Sequence, residues 1–249
     1  MNRSDQNMEP ILHEYRKLVL RWNPQINLIS RQDTASRLGV LIGQCREAWE
    51  LLTAKDTSSL AKATGLWYFD LGSGGGLPGA VWHLQMAAVG IPVWTLLVEP
   101  REKRAWFLER VAHLIGPESL EVEADRWGEL TGEKWAAKVP VDTPSHILIS
   151  MKALRLPDSA VLEGLAPFLE HARGLAEGGG PWISLTIARF YPPKQEWNDE
   201  LADELDIPVA GQLRQTRSHA FQAEGGRVLS PATLRGASLI LSLYRISIS

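Results

Sequence analysis

The hydrophobic pattern of the chain changes period near residue 66. Before that point, the apolar positions of residues 9–22 recur every three or four residues, which is typical of one face of an amphipathic helix. These positions are Ile11, Leu12, Tyr15, Leu18 and Trp22. The pattern predicts a loop around 23–25, a second helix over 34–53 and a polar linker over 54–65.

From residue 66 onward, short apolar runs alternate with helical stretches. The predicted strands cover 66–69, 93–98, 120–123, 146–150, 182–188, 217–229 and 238–247. The predicted helices cover 79–89, 103–114 and 158–172. This alternation predicts an α/β fold, a doubly wound and mainly parallel seven-stranded sheet with helices on both faces. The short polar connection between the last two strands favours an antiparallel pair at the sheet edge.

Composition bounds the class of protein. The chain has 249 residues, of which 45% are hydrophobic and 22% charged, as expected for a globular protein with a large core. We predict an N-terminal helical segment over 1–58 and a main domain over 66–249. The net charge of the whole chain, −3, gives no global positive field that would recruit nucleic acid. The single cysteine, Cys45, excludes an internal disulfide, and neither a signal peptide nor a membrane-length apolar run is found, so we expect a cytoplasmic protein.

The most informative segment is the glycine-rich run Asp70–Gly79, which reads DLGSGGGLPG. It lies between a predicted strand and a predicted helix, where a doubly wound sheet binds its ligands. Five glycines fall within eight positions, far more than a plain turn requires. We therefore interpret the run as a ligand-binding loop.

Two hypotheses about the ligand of this loop are open, a dinucleotide and S-adenosylmethionine. A dinucleotide-binding pattern needs a third glycine where the chain has Leu77, although Glu99 lies near the spacing expected for the ribose-binding acid. Asp70, at the end of the preceding strand, would repel a pyrophosphate and attract a ligand that carries an ammonium and a sulfonium. S-adenosylmethionine is such a ligand, and this hypothesis is the better match.

Acidic residues also follow the next two predicted strands. Glu99 ends the second strand, where its carboxylate could accept hydrogen bonds from both ribose hydroxyls. Ala124 and Asp125 follow the third strand at the same edge, in a position suited to the adenine ring. The three strand ends together indicate a class I, Rossmann-like methyltransferase.

Several motifs resemble the rRNA small subunit methyltransferase G family, also called glucose-inhibited division protein B. The family's N-terminal signature is similar to Trp22-Asn23 followed by Asn27-Leu28-Ile29. The ending of the loop, Leu77-Pro78-Gly79, is the most specific match, and further resemblance lies in Val98-Glu99-Pro100, Lys103-Arg104, Phe107-Leu108, Ala166-Pro167-Phe168-Leu169 and Gly178-Gly179-Gly180. The resemblance covers about residues 15–185.

The resemblance implies methylation of a guanine N7 in 16S ribosomal RNA, with S-adenosylmethionine as cofactor and ribosomal RNA or the small ribosomal subunit as partner. A basic residue after the fourth strand also belongs to the implied cofactor site, and Lys152 is the nearest equivalent of the family's arginine. The predicted cofactor-binding residues are Asp70, Gly72, Gly74, Leu77, Glu99, Ala124, Asp125 and Lys152.

The chain also departs from the family. A His…Asp-Ser cluster in the second helix is replaced by residues 41–45, LIGQC. The family usually ends the fifth strand with a lysine-glycine, where this chain has Thr186-Ile187-Ala188-Arg189. A divergent methyltransferase acting on another RNA or a small molecule, or a non-catalytic cofactor-binding relative, therefore stays open as an alternative.

Methylation of guanine N7 needs no general base, because N7 has a free lone pair and no proton to lose. No catalytic residue is assigned, and the six histidines show no metal-ligand spacing, so we expect no metal. A candidate basic face for RNA is formed by Arg16, Lys17, Arg21, Arg31 and Arg37, together with Arg214, Arg217, Arg227 and Arg235.

Overall fold

The computed structural model describes residues 3–55, 60, 63–129, 144–152, 154–175, 182–191, 221–234 and 237–248. Two helices open the chain, α1 (Arg3–Ile26) and α2 (Thr34–Lys55). Both were predicted, but α1 continues through Pro24, where a loop was expected. The missing N–H of Pro24 leaves only the carbonyl of Leu20 without a helical partner. Leu20 is exposed, so water can satisfy that carbonyl, and the proline is tolerated in the last turn.

Seven strands form one sheet, as predicted. They are β1 (Leu66–Leu71), β2 (Val93–Val98), β3 (Leu120–Glu123), β4 (His146–Lys152), β5 (Trp182–Tyr191), β6 (Phe221–Leu234) and β7 (Ala237–Ile248). Their order across the sheet is β3-β2-β1-β4-β5-β7-β6. The first five strands are parallel, and β7 pairs antiparallel with both β5 and β6. The predicted antiparallel pair therefore lies at the sheet edge, with β6 outermost.

Strand β1 lies at the point where the strand order reverses. Its neighbours are β2 on one side and β4 on the other, so the two connections leave the sheet in opposite directions. A crevice opens at the carboxyl ends of the strands at such a point, and ligands of open α/β sheets bind there. The glycine-rich loop that follows β1 is therefore at the position where the fold accepts a ligand.

Helices cover both faces of the sheet. They are α3 (Gly79–Ala88), α4 (Glu102–Ile115) and α5 (Asp158–Leu175), with a 3₁₀ turn over Trp127–Glu129. All six residues of β1 are buried, and their side chains alternate between two hydrophobic clusters. Trp67 and Phe69 pack with α5, while Tyr68 packs with α1 to α4. A strand buried on both faces explains the unbroken apolar run in the sequence.

The N-terminal helices share the core of the sheet. Leu12 and Tyr15 of α1, and Ile42 of α2, belong to the same cluster as Tyr68 and Leu97. The proposed division between residues 1–58 and 66–249 stays a prediction, since one continuous core joins the two parts. None of the helices in the described ranges is both long and apolar enough to span a lipid bilayer.

Candidate functional site

The glycine-rich loop is bound to the end of β2 by its backbone. The N–H groups of Gly72 and Ser73 both donate to the carbonyl of Val98, at 2.8 and 3.1 Å. Gly72 and Gly74 have φ angles of 72° and 56°, in the left-handed region that favours glycine. The loop can therefore fold back over the sheet and leave its backbone facing the crevice.

Gly79 is required for a different reason. A Cβ atom at this first position of α3 would lie 2.4 Å from Leu97 Cδ2 and 2.6 Å from Asp70 Oδ2. The absence of a side chain lets α3 approach the sheet closely and start directly over the end of β1. The last glycine of the loop, Gly79, is thus a packing requirement of the strand–helix junction.

Asp70 is buried beneath this junction, with 1% of its surface exposed. One carboxylate oxygen, Oδ2, accepts a hydrogen bond from the Gly79 N–H at 3.1 Å, and the other accepts one from Ser150 Oγ at 2.5 Å. Burial raises the pKa of Asp70 to about 6, against the lowering effect of these hydrogen bonds. Asp70 is not among the residues that line the adjoining cavity. Its predicted contact with the cofactor stays a prediction, and its visible role is to fix the loop between β1, β4 and α3.

Glu99 also holds the loop through backbone groups. Its Oε2 atom accepts from the Gly74 N–H at 2.9 Å and its Oε1 atom from the Arg101 N–H at 3.1 Å. Glu99 follows β2 directly and is 3% exposed. Each carboxylate oxygen can accept a second hydrogen bond, so these contacts leave capacity for the predicted ribose hydroxyls.

A cavity of about 240 Å³ opens beside the loop. Its lining residues are Leu28, Ile29, Ser30, Arg37, Leu41, Gly72, Ser73, Gly74, Gly75, Leu77, Arg104 and Lys152. Of the predicted cofactor residues, this set brings together Gly72, Gly74, Leu77 and Lys152. Typical ligand pockets hold about 300–1,000 Å³, so the cavity suits part of a cofactor and not the whole of it.

Ala124 and Asp125 lie outside this lining, just after β3. Ala124 is exposed and Asp125 is half-buried, and both follow Glu123 at the carboxyl end of the strand. Because β3 pairs parallel with β2, they share an edge of the sheet with Glu99. The order of these strand ends allows the adenosine half of a cofactor to extend from the cavity towards β3.

The WN…NL signature builds one wall of the cavity. The Asn23 side chain accepts from the Ile29 N–H at 2.9 Å and donates to Thr34 Oγ1 at 3.3 Å, so it closes the turn between α1 and α2. This turn places Leu28 against Gly75, and Ile29 beside it. Leu28 is buried at 7% exposure. The residues of this motif thus have a physical role, which is to hold the turn that forms this wall.

Two side chains that the sequence analysis missed also hold this wall. Tyr15 of α1 donates its hydroxyl to the carbonyl of Gly75 at 2.7 Å, across 60 residues of sequence. Arg104 of α4 donates to the carbonyl of Asn27 at 2.8 Å and lines the cavity. The KR pattern of α4 contained Arg104, but nothing in the sequence pairs it with Asn27. These contacts couple the N-terminal helices to the glycine loop.

The residues that replace the family's His…Asp-Ser cluster occupy distinct places. Leu41 lines the cavity, and Cys45 is buried in the core. Gln44 accepts a hydrogen bond from Lys152 Nζ at 3.3 Å, across 108 residues of sequence. Lys152 also lies 5.5 Å from the centre of the Phe190 ring. The departure in α2 and Lys152, the last residue of β4, are therefore in contact, which one sequence could not reveal.

Arg189, in the segment where the family has a lysine-glycine, forms a buried polar network. Its guanidinium donates to the carbonyl of Leu156 at 2.6 Å and pairs with Asp158, which also accepts from the Tyr244 hydroxyl. Arg189 and Asp158 are 3% and 0% exposed. The network fixes the segment between β4 and α5. That segment carries Leu154, which lies in contact distance of Gly72.

The histidines that can be placed at buried sites act as packing residues. His83 lies 2.8 Å from Thr95 Oγ1 and His146 lies 3.1 Å from Thr186 Oγ1. Desolvation lowers the pKa of each to about 4. No cluster of three or more His, Cys, Asp or Glu side chains with metal-binding geometry occurs within the described ranges.

The predicted basic face is only partly visible. Arg37 lines the cavity, whereas Arg16, Lys17 and Arg21 lie on α1 and Arg31 lies in the following turn. Arg214, Arg217, Arg235, the side chain of Arg227 and the glycines 178–180 lie outside the described residues.

Comparison with known proteins supports the family resemblance. The model of the family described as rRNA small subunit methyltransferase G matches residues 8–138, which is more than half of the 249 residues. A curated relative with the name ribosomal RNA small subunit methyltransferase G, from Acidiphilium cryptum, is 33% identical over 41% of this chain and 43% of that protein. Another with the same name, from Helicobacter acinonychis, is 32% identical over 49% of this chain and 60% of that protein. A third, from Laribacter hongkongensis, is 26% identical over 71% of this chain and 70% of the relative.

The chain thus spans about half the length of the first two relatives. Among solved structures, an rRNA methylase from Streptococcus thermophilus is 13% identical, with a TM-score of 0.42 over 76% of this chain and 93% of that one. A SAM dependent methyltransferase from Aquifex aeolicus is 14% identical, with a TM-score of 0.39 over 82% and 97%. By the family model and the motifs it covers, this chain belongs to the rRNA small subunit methyltransferase G family.

Proposed function

We propose that this protein is an S-adenosylmethionine-dependent methyltransferase that methylates the N7 atom of a guanine in small-subunit ribosomal RNA. One observation carries the proposal: the glycine loop of Gly72–Gly75 borders a cavity at the reversal point of the sheet, in a chain of this family. The relatives' names support ribosomal RNA as the substrate.

The residues present fit the cofactor. The backbone of Gly72 and Gly74 faces the cavity without Cβ atoms, so a ligand can approach it closely. Lys152 offers a cation for the cofactor's carboxylate, and Glu99 offers oxygens for the ribose. Asp70 adds negative charge below the loop, which favours an ammonium and a sulfonium over a pyrophosphate.

When bound, S-adenosylmethionine would supply an electrophilic methyl group on its sulfonium, for transfer to a lone pair such as that of guanine N7. No proton is lost in this transfer, so the chain has no need of a general base. The described residues orient the two reactants instead. Such positioning can supply ~7–11 kcal/mol of the barrier.

The substrate is tested by labelled transfer. Purified protein with methyl-labelled cofactor is offered naked small-subunit RNA, assembled subunits and a panel of small molecules. We expect labelled methyl groups in the RNA, at a guanine where treatment with borohydride and aniline then cleaves the strand. The substrate proposal fails if RNA from cells that lack the protein keeps every N7-methylguanine and the pure enzyme modifies no RNA.

The changes at Leu41, Gln44 and Arg189 favour a second candidate, a divergent methyltransferase for another RNA or a small molecule. Label in that other acceptor would identify it. Turnover of the labelled cofactor separates both candidates from a non-catalytic relative, because such a relative would bind S-adenosylmethionine in a calorimetric titration without transferring its methyl group.

A further inference from the structure

Three cationic side chains face the cavity beside the glycine loop. They are Arg37 of α2, Arg104 of α4 and Lys152 of β4, and none of the other lining residues is acidic. The chain as a whole carries a net charge of −3, so this local excess runs against its composition. A cleft lined by one sign of charge concentrates ligands of the opposite sign.

The three cations differ in how they are held. Arg104 is fixed by the carbonyl of Asn27, and Lys152 donates to Gln44. Arg37 lies in the first two turns of α2 and is exposed. Within the described residues, its guanidinium makes neither a hydrogen bond nor an ion pair. Its five donors therefore remain available to a ligand.

The proposed cofactor does not account for this charge. It has two positive groups, the ammonium and the sulfonium, and one carboxylate, which Lys152 suffices to pair. The acids at the ends of β1 and β2, Asp70 and Glu99, accept hydrogen bonds from within the loop junction and do not line the cavity. A net cationic ligand among three cations is unfavourable by Coulomb's law, so a second, anionic group belongs at this site.

We propose that Arg37 binds a backbone phosphate of the RNA strand that carries the acceptor base. This subsite rests on the proposed function, since it assigns the acceptor's phosphate a place beside the methyl donor. An arginine is suited to it, because the planar guanidinium can donate two parallel hydrogen bonds to a phosphate. Arg37 thereby positions the strand while the bound cofactor lies along Gly72–Gly75.

The test compares Arg37→Gln with a matched control, Arg245→Gln. Arg245 is an exposed cation on β7 that lies opposite Ser184, near the amino end of β5, and is absent from the cavity lining. Its replacement removes the same charge at a site distant from the cavity. Binding of a 20-nucleotide single-stranded RNA is measured by fluorescence anisotropy at several salt concentrations. Cofactor affinity is measured separately by calorimetry.

For a single strand, one lost phosphate contact makes the slope of the logarithm of the association constant against the logarithm of salt concentration shallower by about 0.7. At 0.1 M salt this corresponds to about fivefold weaker RNA binding. We expect this for Arg37→Gln, with cofactor affinity unchanged and the control like wild type. Arg37→Lys should keep the slope and lose part of the affinity, because the charge stays and the fork is gone.

Two results would overturn the subsite: an unchanged RNA slope in Arg37→Gln, or a loss of cofactor affinity equal to the loss of RNA affinity. The proposed function fails independently. Wild-type protein that binds RNA through Arg37 without methylating it would refute the function alone. Wild-type protein that methylates RNA, with Arg37→Gln identical to it, would refute the subsite alone.

Discussion

Asp70 and Ser150 lie directly opposite each other on adjacent parallel strands, and the Ser150 hydroxyl donates to the Asp70 carboxylate at 2.5 Å. Tyr68 extends the chain of hydrogen bonds, with its hydroxyl 2.8 Å from Ser150 Oγ. The Gly79 N–H occupies the other oxygen of Asp70. This buried pair thus joins β1 and β4 to the first residue of α3.

We expect Asp70→Ala to abolish cofactor binding in a protein that still folds. The change leaves the buried Gly79 N–H without an acceptor, which costs about 1–3 kcal/mol of unfolding free energy, a fraction of the ~5–15 kcal/mol of a typical domain. Calorimetry reports the affinity and urea denaturation the stability. Ser150→Ala is the control, since it removes one hydrogen bond and keeps the charge; unchanged cofactor affinity in folded Asp70→Ala would contradict the assignment.

The raised pKa of Asp70 makes stability depend on pH. The carboxyl binds its proton more tightly when folded, with a pKa of about 6 against an ordinary 3.8, so the folded state holds more protons between pH 4 and 6. The unfolding free energy contributed by Asp70 therefore falls as pH rises through that window, by ~3 kcal/mol at most. His83 and His146, whose pKa values are lowered, act in the opposite direction.

Asp70→Asn isolates this effect, because asparagine does not titrate and the histidines are common to both proteins. Urea denaturation is carried out at several pH values on each. We expect the stability of wild type relative to Asp70→Asn to decline from pH 4 to 6 and to level off above pH 6. A difference that is flat across this range would show that the carboxyl titrates normally.

We expect Glu99→Gln to weaken S-adenosylmethionine binding by roughly 1.5–3 kcal/mol, the worth of hydrogen bonds to a charged group. The glutamine NH₂ group would also face the backbone N–H of Gly74 or of Arg101. Both groups are hydrogen-bond donors, so that hydrogen bond is lost. Glu102→Gln, an exposed acid at the start of α4, is the matched control. Tighter binding of NAD than of S-adenosylmethionine by the wild-type protein would instead favour the dinucleotide hypothesis.

Tyr15→Phe should loosen the glycine loop. The change deletes the hydroxyl that holds the Gly75 carbonyl, worth about 1 kcal/mol, and Gly75 lines the cavity. We expect a small loss of stability together with a severalfold loss of cofactor affinity. Thr186→Val removes another buried hydroxyl, which lies 3.1 Å from His146 Nε2 and outside the cavity lining, and should lower stability without affecting the affinity. Equal affinity in Tyr15→Phe and wild type would show that α1 does not position the loop.

Much of the fold is readable from the sequence because its cause is local. The unbroken run over Leu66–Phe69 predicts a strand buried on both faces, and the glycines before Pro78 predict the loop that follows it. The alternation of strand and helix predicts a parallel sheet. The end of α1 was misjudged at Pro24, because the tolerance of a proline depends on whether the freed carbonyl reaches water.

The chemistry of the site required the tertiary structure. The sequence identified Asp70 and Glu99 as acids at strand ends, but only the register of the strands and the path of the loop show that backbone N–H groups already occupy their oxygens. Lys152 meets Gln44 across 108 residues. The sequence by itself determined which elements form and where a ligand-binding loop occurs, since propensity and hydrophobic period act over a few residues. Only the sheet topology decided which distant side chains share the cavity, because contacts between separate elements leave no mark in the local pattern.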